Sequence, residues 1–271
     1  IYEDASIPTE WTKKLKEECD KVEIDYFTSP YDFESVDLVD PFVELYKIGS
    51  GDISWIEIIE HILKKGKPTL IASGASTIQD VERVMNLTKK YNNDIVLMQC
   101  NTNYSGTADN FNYCNLNVLK QYSKMFPDVT LGLSDHTSGH ATTLGAITLG
   151  ARVIEKHFTD DNNQIGPDHG FAMNPKTWRD MVDRSYELLS ALGDGQKKIE
   201  ENEKSSFMVQ RRSIRFSKDL KAGHKLTKDD LICLRPITYG GIDPFEISNY
   251  IGKYLTHDVN LGDQLLKNYV K

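Results

Sequence analysis

The chain has 271 residues, with 32 Lys and Arg against 40 Asp and Glu, for a formal charge of −8. That length can bury one large α/β core and a small second one. An acidic chain with scattered lysines is a poor nucleic-acid binder, and no apolar run reaches the roughly 18 residues of a membrane span. The four cysteines, Cys19, Cys100, Cys114 and Cys233, form no CxxC pair and follow no zinc spacing. With no signal-peptide pattern, they read as reduced thiols of a cytoplasmic protein. The sequence opens at Ile1 and soon enters a helix-like segment, Thr9 to Lys21, so a missing N-terminal portion is expected.

Short apolar, β-branched runs then recur: Glu23–Tyr26, Glu44–Ile48, Thr69–Ala72, Asp94–Gln99, Val129–Leu133 and Ala151–Lys156. Between them lie stretches with apolar residues at helical spacing, such as Ile78, Val81, Val84 and Met85. Strands alternating with helices predict parallel βαβ units. Both a doubly wound sheet and a barrel fit six strands. Polar and ionisable residues follow every run, which favours a barrel, because a (β/α)8 barrel gathers its site from all strand ends. An open sheet binds at a single crevice. Two N-terminal strands of the barrel are expected to be absent from this sequence.

A helix is predicted from Pro175 to Leu192, capped by Asn174 and ended by Gly193-Asp194-Gly195. Residues 1–195 form the expected barrel domain and 196–210, charged and aperiodic at its start, a linker. From Arg211 the pattern changes. Ser213–Phe216 reads as a short strand, Lys221–His224 as a turn and Leu226–Leu231 as a capped helical turn. Residues 211–271 therefore predict a small turn-rich domain.

The sharpest local signal is Ser134-Asp135-His136-Thr137, followed by Glu155-Lys156-His157-Phe158-Thr159. Strand alternation puts Ser134 with His136 on one face and Glu155 with His157 on another. Two imidazoles converging at a barrel mouth suit a transition metal with positions left open for a substrate. Glu155 is placed to orient such a ligand from behind. The bland alternative is a hydrogen-bonded structural histidine, and a rival pair is His136 with His140. Lys47, near the end of an apolar strand, calls for an anion. With hydroxyls at Thr28, Ser50, Ser73 and Ser134, and glycine amides beside them, it suits a phosphate. Asp168, in the rigid Gly166–Gly170 loop, is placed to meet substrate hydroxyls. Arg235 precedes Pro236 on extended backbone.

Taken together, Lys47-Ile48-Gly49-Ser50-Gly51-Asp52, Ser73-Gly74, Ser134–Thr137, Glu155–Thr159 and Gly166–His169 resemble the sialic acid synthase family. The tail from Arg211 resembles its C-terminal antifreeze-like (SAF) domain. The resemblance implies a (β/α)8 TIM barrel plus a small β-rich domain, a domain-swapped homodimer and a divalent cation, Mn²⁺ with Mg²⁺ or Co²⁺ as alternatives. It implies condensation of phosphoenolpyruvate with an N-acetylated aldose such as N-acetylmannosamine, giving a nine-carbon 2-keto acid and phosphate. Carried over, His136 and His157 hold the metal, and Thr28, Lys47, Ser50, Ser73, Thr102 and Ser134 bind phosphate or carboxylate. Tyr104, Asp52 and Asp168 face the sugar, and Arg235 reaches the partner's site. The family's acid/base glutamate is expected in the missing N-terminal part.

Three positions depart from the family pattern. Asp52 stands for the usual Glu, Ala72-Ser73-Gly74-Ala75 for Ser-Thr-Gly-Met, and Ser105 follows Tyr104 where Pro is common. They leave the sugar open, legionaminic and pseudaminic acid precursors included. A Schiff-base aldolase using Lys47 and a truncated, non-catalytic sugar- or phosphate-binding remnant are the competing expectations.

Overall fold

The structure, a computed structural model, describes residues 7–91 and 94–271. The first six residues of the expected barrel domain lie outside it. The chain divides into two compact units, Ile1–Asp194 and Gly195–Lys271.

The first unit opens with helices α1 (Trp11–Lys21) and α2 (Phe33–Val39). Strand and helix then alternate: β1 (Tyr46–Ile48), α3 (Ile56–Leu63), β2 (Thr69–Ala72), α4 (Ile78–Thr88), β3 (Ile95–Cys100), α5 (Val118–Met125), β4 (Thr130–Asp135), α6 (Ala141–Thr148), β5 (Val153–Lys156) and α7 (Pro175–Leu192). The five strands are parallel and lie in the order β1-β2-β3-β4-β5. A doubly wound sheet reverses at a switch point. This one never does, so the unit is a partial TIM-like barrel.

The ladders fix which side chains share a face. Ala72, Met98, Gly132 and Val153 stand side by side, and Cys100, Ser134 and Glu155 form the next layer. Gly132 has the size this inner layer demands: a Cβ there would lie 2.9 Å from both Met98 Cγ and the Val153 carbonyl. The opposite face carries Ile71, Leu97, Leu131, Leu133 and Ile154, packed with Ile58, Ile62, Val81, Val84 and Leu119 of the helices. Strands covered on both faces read as continuous apolar runs, which is why they were visible in the sequence.

The run Glu23–Tyr26 is no strand. Glu23 adopts a left-handed φ of 59°, and Ile24 N–H turns back to the Cys19 carbonyl to close α1. Val22 and Ile24 remain 65% and 59% exposed, so no buried face exists to hold a ladder. By contrast α7 is bounded as its residues dictate. The Asn174 side chain accepts from Thr177 N–H, Thr177 answers to the Asn174 N–H, Pro175 opens the helix, and Gly193 leaves it at φ 61°.

The second unit has its own core of Ile214, Phe216, Leu226, Leu255 and Leu265. An antiparallel pair, β6 (Ser213–Phe216) and β7 (Leu231–Leu234), organises it. Thr227 and Asp230 form a capping box around a single 3₁₀ turn. The segment expected as linker contains a helix, α8 (Lys204–Gln210). Among the described residues, no helix is long and apolar enough to cross a membrane.

Candidate active site

Lys47 sits on β1 with its side chain 8% exposed, and its Nζ lies 2.9 Å from Glu155 Oε2. It also donates to Oε1 at 3.2 Å. A buried ammonium requires such an anion. Nearby, Ser50 Oγ accepts the Gly74 N–H at 2.9 Å. A Cβ on Gly74 would lie 2.5 Å from Thr102 Cγ2, 2.8 Å from Ser50 Oγ and 3.0 Å from Cys100 Sγ. Ser50, Gly74, Cys100 and Thr102 thus converge on one spot. Burial pushes the Cys100 thiol up in pKa, against the hydroxyls of Ser50 and Ser134 and the charge of Lys47 beside it. Cys100 was overlooked in the sequence, although β3 alternation and its pairing with Ser134 place it at this mouth.

His136 and His157 follow β4 and β5, with ring centroids 5.1 Å apart. His136 is buried, and its Nδ1 lies 2.7 Å from the Asn101 carbonyl. Only a protonated Nδ1 can donate to a carbonyl, so Nε2 carries the lone pair. Burial also lowers the His136 pKa, aided by the neighbouring His157 and opposed by the Asn101 bond. His157 Nδ1 lies 3.2 Å from Asp168 Oδ2. His136 is thus held through Nδ1, and His157 faces the Asp168 carboxylate with the same atom. Tyr104 packs on them, its ring centroid 4.1 Å from His136 and 5.7 Å from His157. His140 instead lies 3.6 Å from Asp180 on α7, which removes it as a partner for His136.

The loop bearing Asp168 is fastened at its base. Asn162 donates to the carbonyls of His169 and Ala172, and Thr159 Oγ1 meets His169 Nδ1 at 2.7 Å. On the other flank, burial raises the Asp52 carboxyl. Tyr31, which sequence reasoning missed, sits against the same turn: an added Gly49 Cβ would lie 3.7 Å from Asp52 Oδ2 and 3.9 Å from the Tyr31 ring. Burial raises the Tyr31 hydroxyl, and the charges of Asp52 and Glu155 raise it further.

Of the remaining expected contributors, Ser73 turns away from the mouth, while Thr28 and Arg235 are placed by backbone partners. Ser73 shares the outer face with Ile71, two residues before it. Its hydroxyl donates to the Met98 carbonyl and accepts from Tyr122, so it joins β2 to α5 instead of entering the mouth. Thr28 reaches β1 through its backbone, its carbonyl accepting the Lys47 N–H at 3.3 Å. Arg235 belongs to the second unit, where its Nε donates to the Gln210 carbonyl.

The histidine pair fits a metal ion in spacing and donor type. Two imidazoles bound to one ion at M–N of about 2.1 Å place their ring centres on the order of 5 Å apart, as found here. Among the described residues no group of three or more His, Cys, Asp and Glu is arranged to hold a metal. An ion at this pair therefore needs further ligands from solvent or substrate.

Fold and site together define a barrel-type protein whose strand ends carry a buried lysine among hydroxyls on one side and two neighbouring imidazoles on the other. The chain belongs to the NeuB family, whose model matches residues 1–197, and residues 211–271 match the SAF domain. The N,N'-diacetyllegionaminic acid synthase of Legionella pneumophila is 34% identical over 95% of this chain and 72% of its own length. The pseudaminic acid synthase of Campylobacter jejuni is 31% identical over 98% of this chain and 76% of its own. Among solved structures, the N-acetylneuraminic acid (sialic acid) synthetase of Leptospira borgpetersenii, in complex with citrate, matches with a TM-score of 0.69 at 26% identity. That match covers 74% of this chain and 70% of the solved one.

Proposed function

We propose that this protein condenses phosphoenolpyruvate with an N-acetylated aldose to give a nine-carbon 2-keto sugar acid and phosphate. N-acetylmannosamine or a diacetamido relative is the sugar. The observation that carries the reading is the placement of Lys47, paired with Glu155, and of the His136–His157 pair at one set of strand ends.

Lys47 neutralises the phosphate once Glu155 yields it, with the hydroxyls of Ser50, Ser134 and Thr102 as further donors. Glu155 returns to Lys47 when the anion leaves. A divalent ion, Mn²⁺ before Mg²⁺ or Co²⁺, held by the Nε2 atoms of His136 and His157, would supply Lewis-acid polarisation of the sugar aldehyde. The Asn101 carbonyl keeps His136 in the required tautomer, and Asp168 orients His157 as substrate binds. Tyr104 and Asp52 orient the sugar, and holding both reactants in one mouth avoids an encounter in water. C3 of phosphoenolpyruvate forms the new bond to the aldehyde carbon and water adds at C2; the C2–O bond to phosphate then breaks, with the protons of water passing in net to the aldehyde oxygen, which becomes a hydroxyl, and to the departing phosphate. Arg235, across a domain-exchanged homodimer, contacts the acetamido group. Lys47, engaged by a carboxylate, is poorly set up as a Schiff-base amine.

The test is to supply phosphoenolpyruvate, Mn²⁺ and either N-acetylmannosamine or 2,4-diacetamido-trideoxy sugars, and to measure phosphate and 2-keto acid together. Equal release of both, abolished by His136→Ala and by His157→Ala, is expected. Phosphate release without a keto sugar, or borohydride trapping of a sugar on Lys47, would overturn the reading.

A further inference from the structure

One buried ion pair stands outside the chemistry above. The side chains of Lys156 and Asp135 are 1% and 3% exposed, with Nζ 2.6 Å from Asp135 Oδ2. Lys156 also donates to the Thr137 carbonyl at 2.7 Å. Asp135 further accepts from Thr137 N–H at 3.0 Å, from the Thr137 hydroxyl at 2.9 Å and from the Thr142 hydroxyl of α6 at 2.5 Å. Both residues lie on the helix-facing side of the sheet, the side of Leu133 and Ile154, and so point away from the mouth.

Their place in the register is what matters. Asp135 and Lys156 are paired across β4 and β5, and each immediately precedes one of the two histidines. The ammonium grips the Asp135 carboxylate and the Thr137 carbonyl, the residues on either side of His136. It therefore brackets the His136 backbone and ties it to the strand that delivers His157. Burying two charges so completely is costly, and removing either partner alone leaves an uncompensated charge behind the sheet. Among the described residues, none of this network's hydrogen bonds reaches β1 or β2, where the anion cradle stands.

We propose that Lys156 and Asp135, supported by Thr142, are positioning residues that set the spacing of the two imidazoles from behind the sheet. This rests on the reading of the site as a metal-dependent synthase. It assigns the outer face of β4 and β5 a share in metal binding, without contact to metal or substrate.

The experiment uses the full chain with Asp135→Asn/Lys156→Met, which removes both charges together, and with Thr142→Val and Thr142→Ser. Mn²⁺ affinity is read from the electron paramagnetic resonance of free ion, and inorganic phosphate affinity by phosphorus NMR. The imidazole Cε1–H signals of the metal-free protein are recorded as well; Tyr104 lies close enough to make them sensitive to ring position. The double variant is expected to weaken Mn²⁺ binding ~10–100-fold, to leave phosphate binding unchanged and to displace both imidazole signals. Thr142→Val shifts the same readouts less, and Thr142→Ser restores them. A folded double variant with the parent's Mn²⁺ affinity and unmoved imidazole signals overturns the proposal. Should the double variant not fold, unmoved signals in Thr142→Val overturn it. If the parent binds no Mn²⁺ through His136 and His157, the functional reading falls, while the metal-free signals still decide the positioning role.

Discussion

Two lysines of the same sheet make the same kind of bond for opposite purposes. Lys47 and Lys156 are both buried and both pair with a carboxylate, but Glu155 is 43% exposed where Asp135 is 3% exposed. Glu155 can turn to water and release Lys47 to an incoming anion. Asp135 has nowhere to go and holds other donors besides Lys156. The inner pair has room to open, and the outer pair has none. Alternation along a strand is enough to produce both within one residue of each other, since Glu155 and Lys156 are adjacent.

The largest expected effect separates them by stability. Lys156→Met leaves Asp135 charged and buried, which costs about 3–5 kcal/mol. Lys47→Met frees a half-exposed glutamate and costs about 1 kcal/mol or less. All three tryptophans, Trp11, Trp55 and Trp178, lie in the first unit, so urea unfolding followed by tryptophan fluorescence reads that unit alone. Equal losses in the two variants would erase the distinction between the lysines. Activity should then reverse the ranking for Lys47. Its removal takes the principal positive charge from the anion cradle, and kcat/KM is expected to fall roughly 10²–10³-fold in a protein of nearly normal stability. A Lys47→Met enzyme within about tenfold of the parent, roughly 1.4 kcal/mol in the barrier, would show that the phosphate is held elsewhere.

Gly74→Ala sharpens the contrast at the next level down. The added methyl meets Thr102, Ser50 and Cys100 at 2.5–3.0 Å. Overpacking of that kind costs about 1–3 kcal/mol. Because Ser50 is one of the atoms displaced, phosphate affinity should fall while Mn²⁺ binding by the parent's histidine pair is retained. Loss of both together would mean that the two sides of the mouth are one mechanical unit.

Much of this was legible in the residues, for identifiable reasons. Strands such as Thr69–Ala72 announce themselves because both faces are apolar, and the imidazole pair because the two histidines end adjacent strands. Ser73 was misjudged because proximity to a strand end was read without its parity. Counting by twos from Ile71 puts it on the outer face, where Tyr122 takes its hydroxyl. The same parity, applied to Cys100, brings a residue judged only by its redox state to the mouth. Glu23–Tyr26 failed for the converse reason: its alternation was real, but exposed Val22 and Ile24 gave it nothing to bury. Tyr31 carried no signal at all, since a tyrosine in a loop before a helix has no period to betray its direction.

The smallest expected effect bears most directly on what the inner pair is for. If Glu155 is a stand-in that the substrate anion must displace, then Glu155→Gln removes a competitor and inorganic phosphate should bind more tightly. A partly exposed pair is worth about 1 kcal/mol at most, so the gain is limited to about fivefold, and titration followed by phosphorus NMR can resolve it. If Glu155 instead holds Lys47 in the productive place, the same change weakens phosphate binding. The sign therefore decides. A gain makes the Lys47–Glu155 bond a gate that opens on substrate entry, and a loss makes it a brace of the same kind as Asp135 and Lys156.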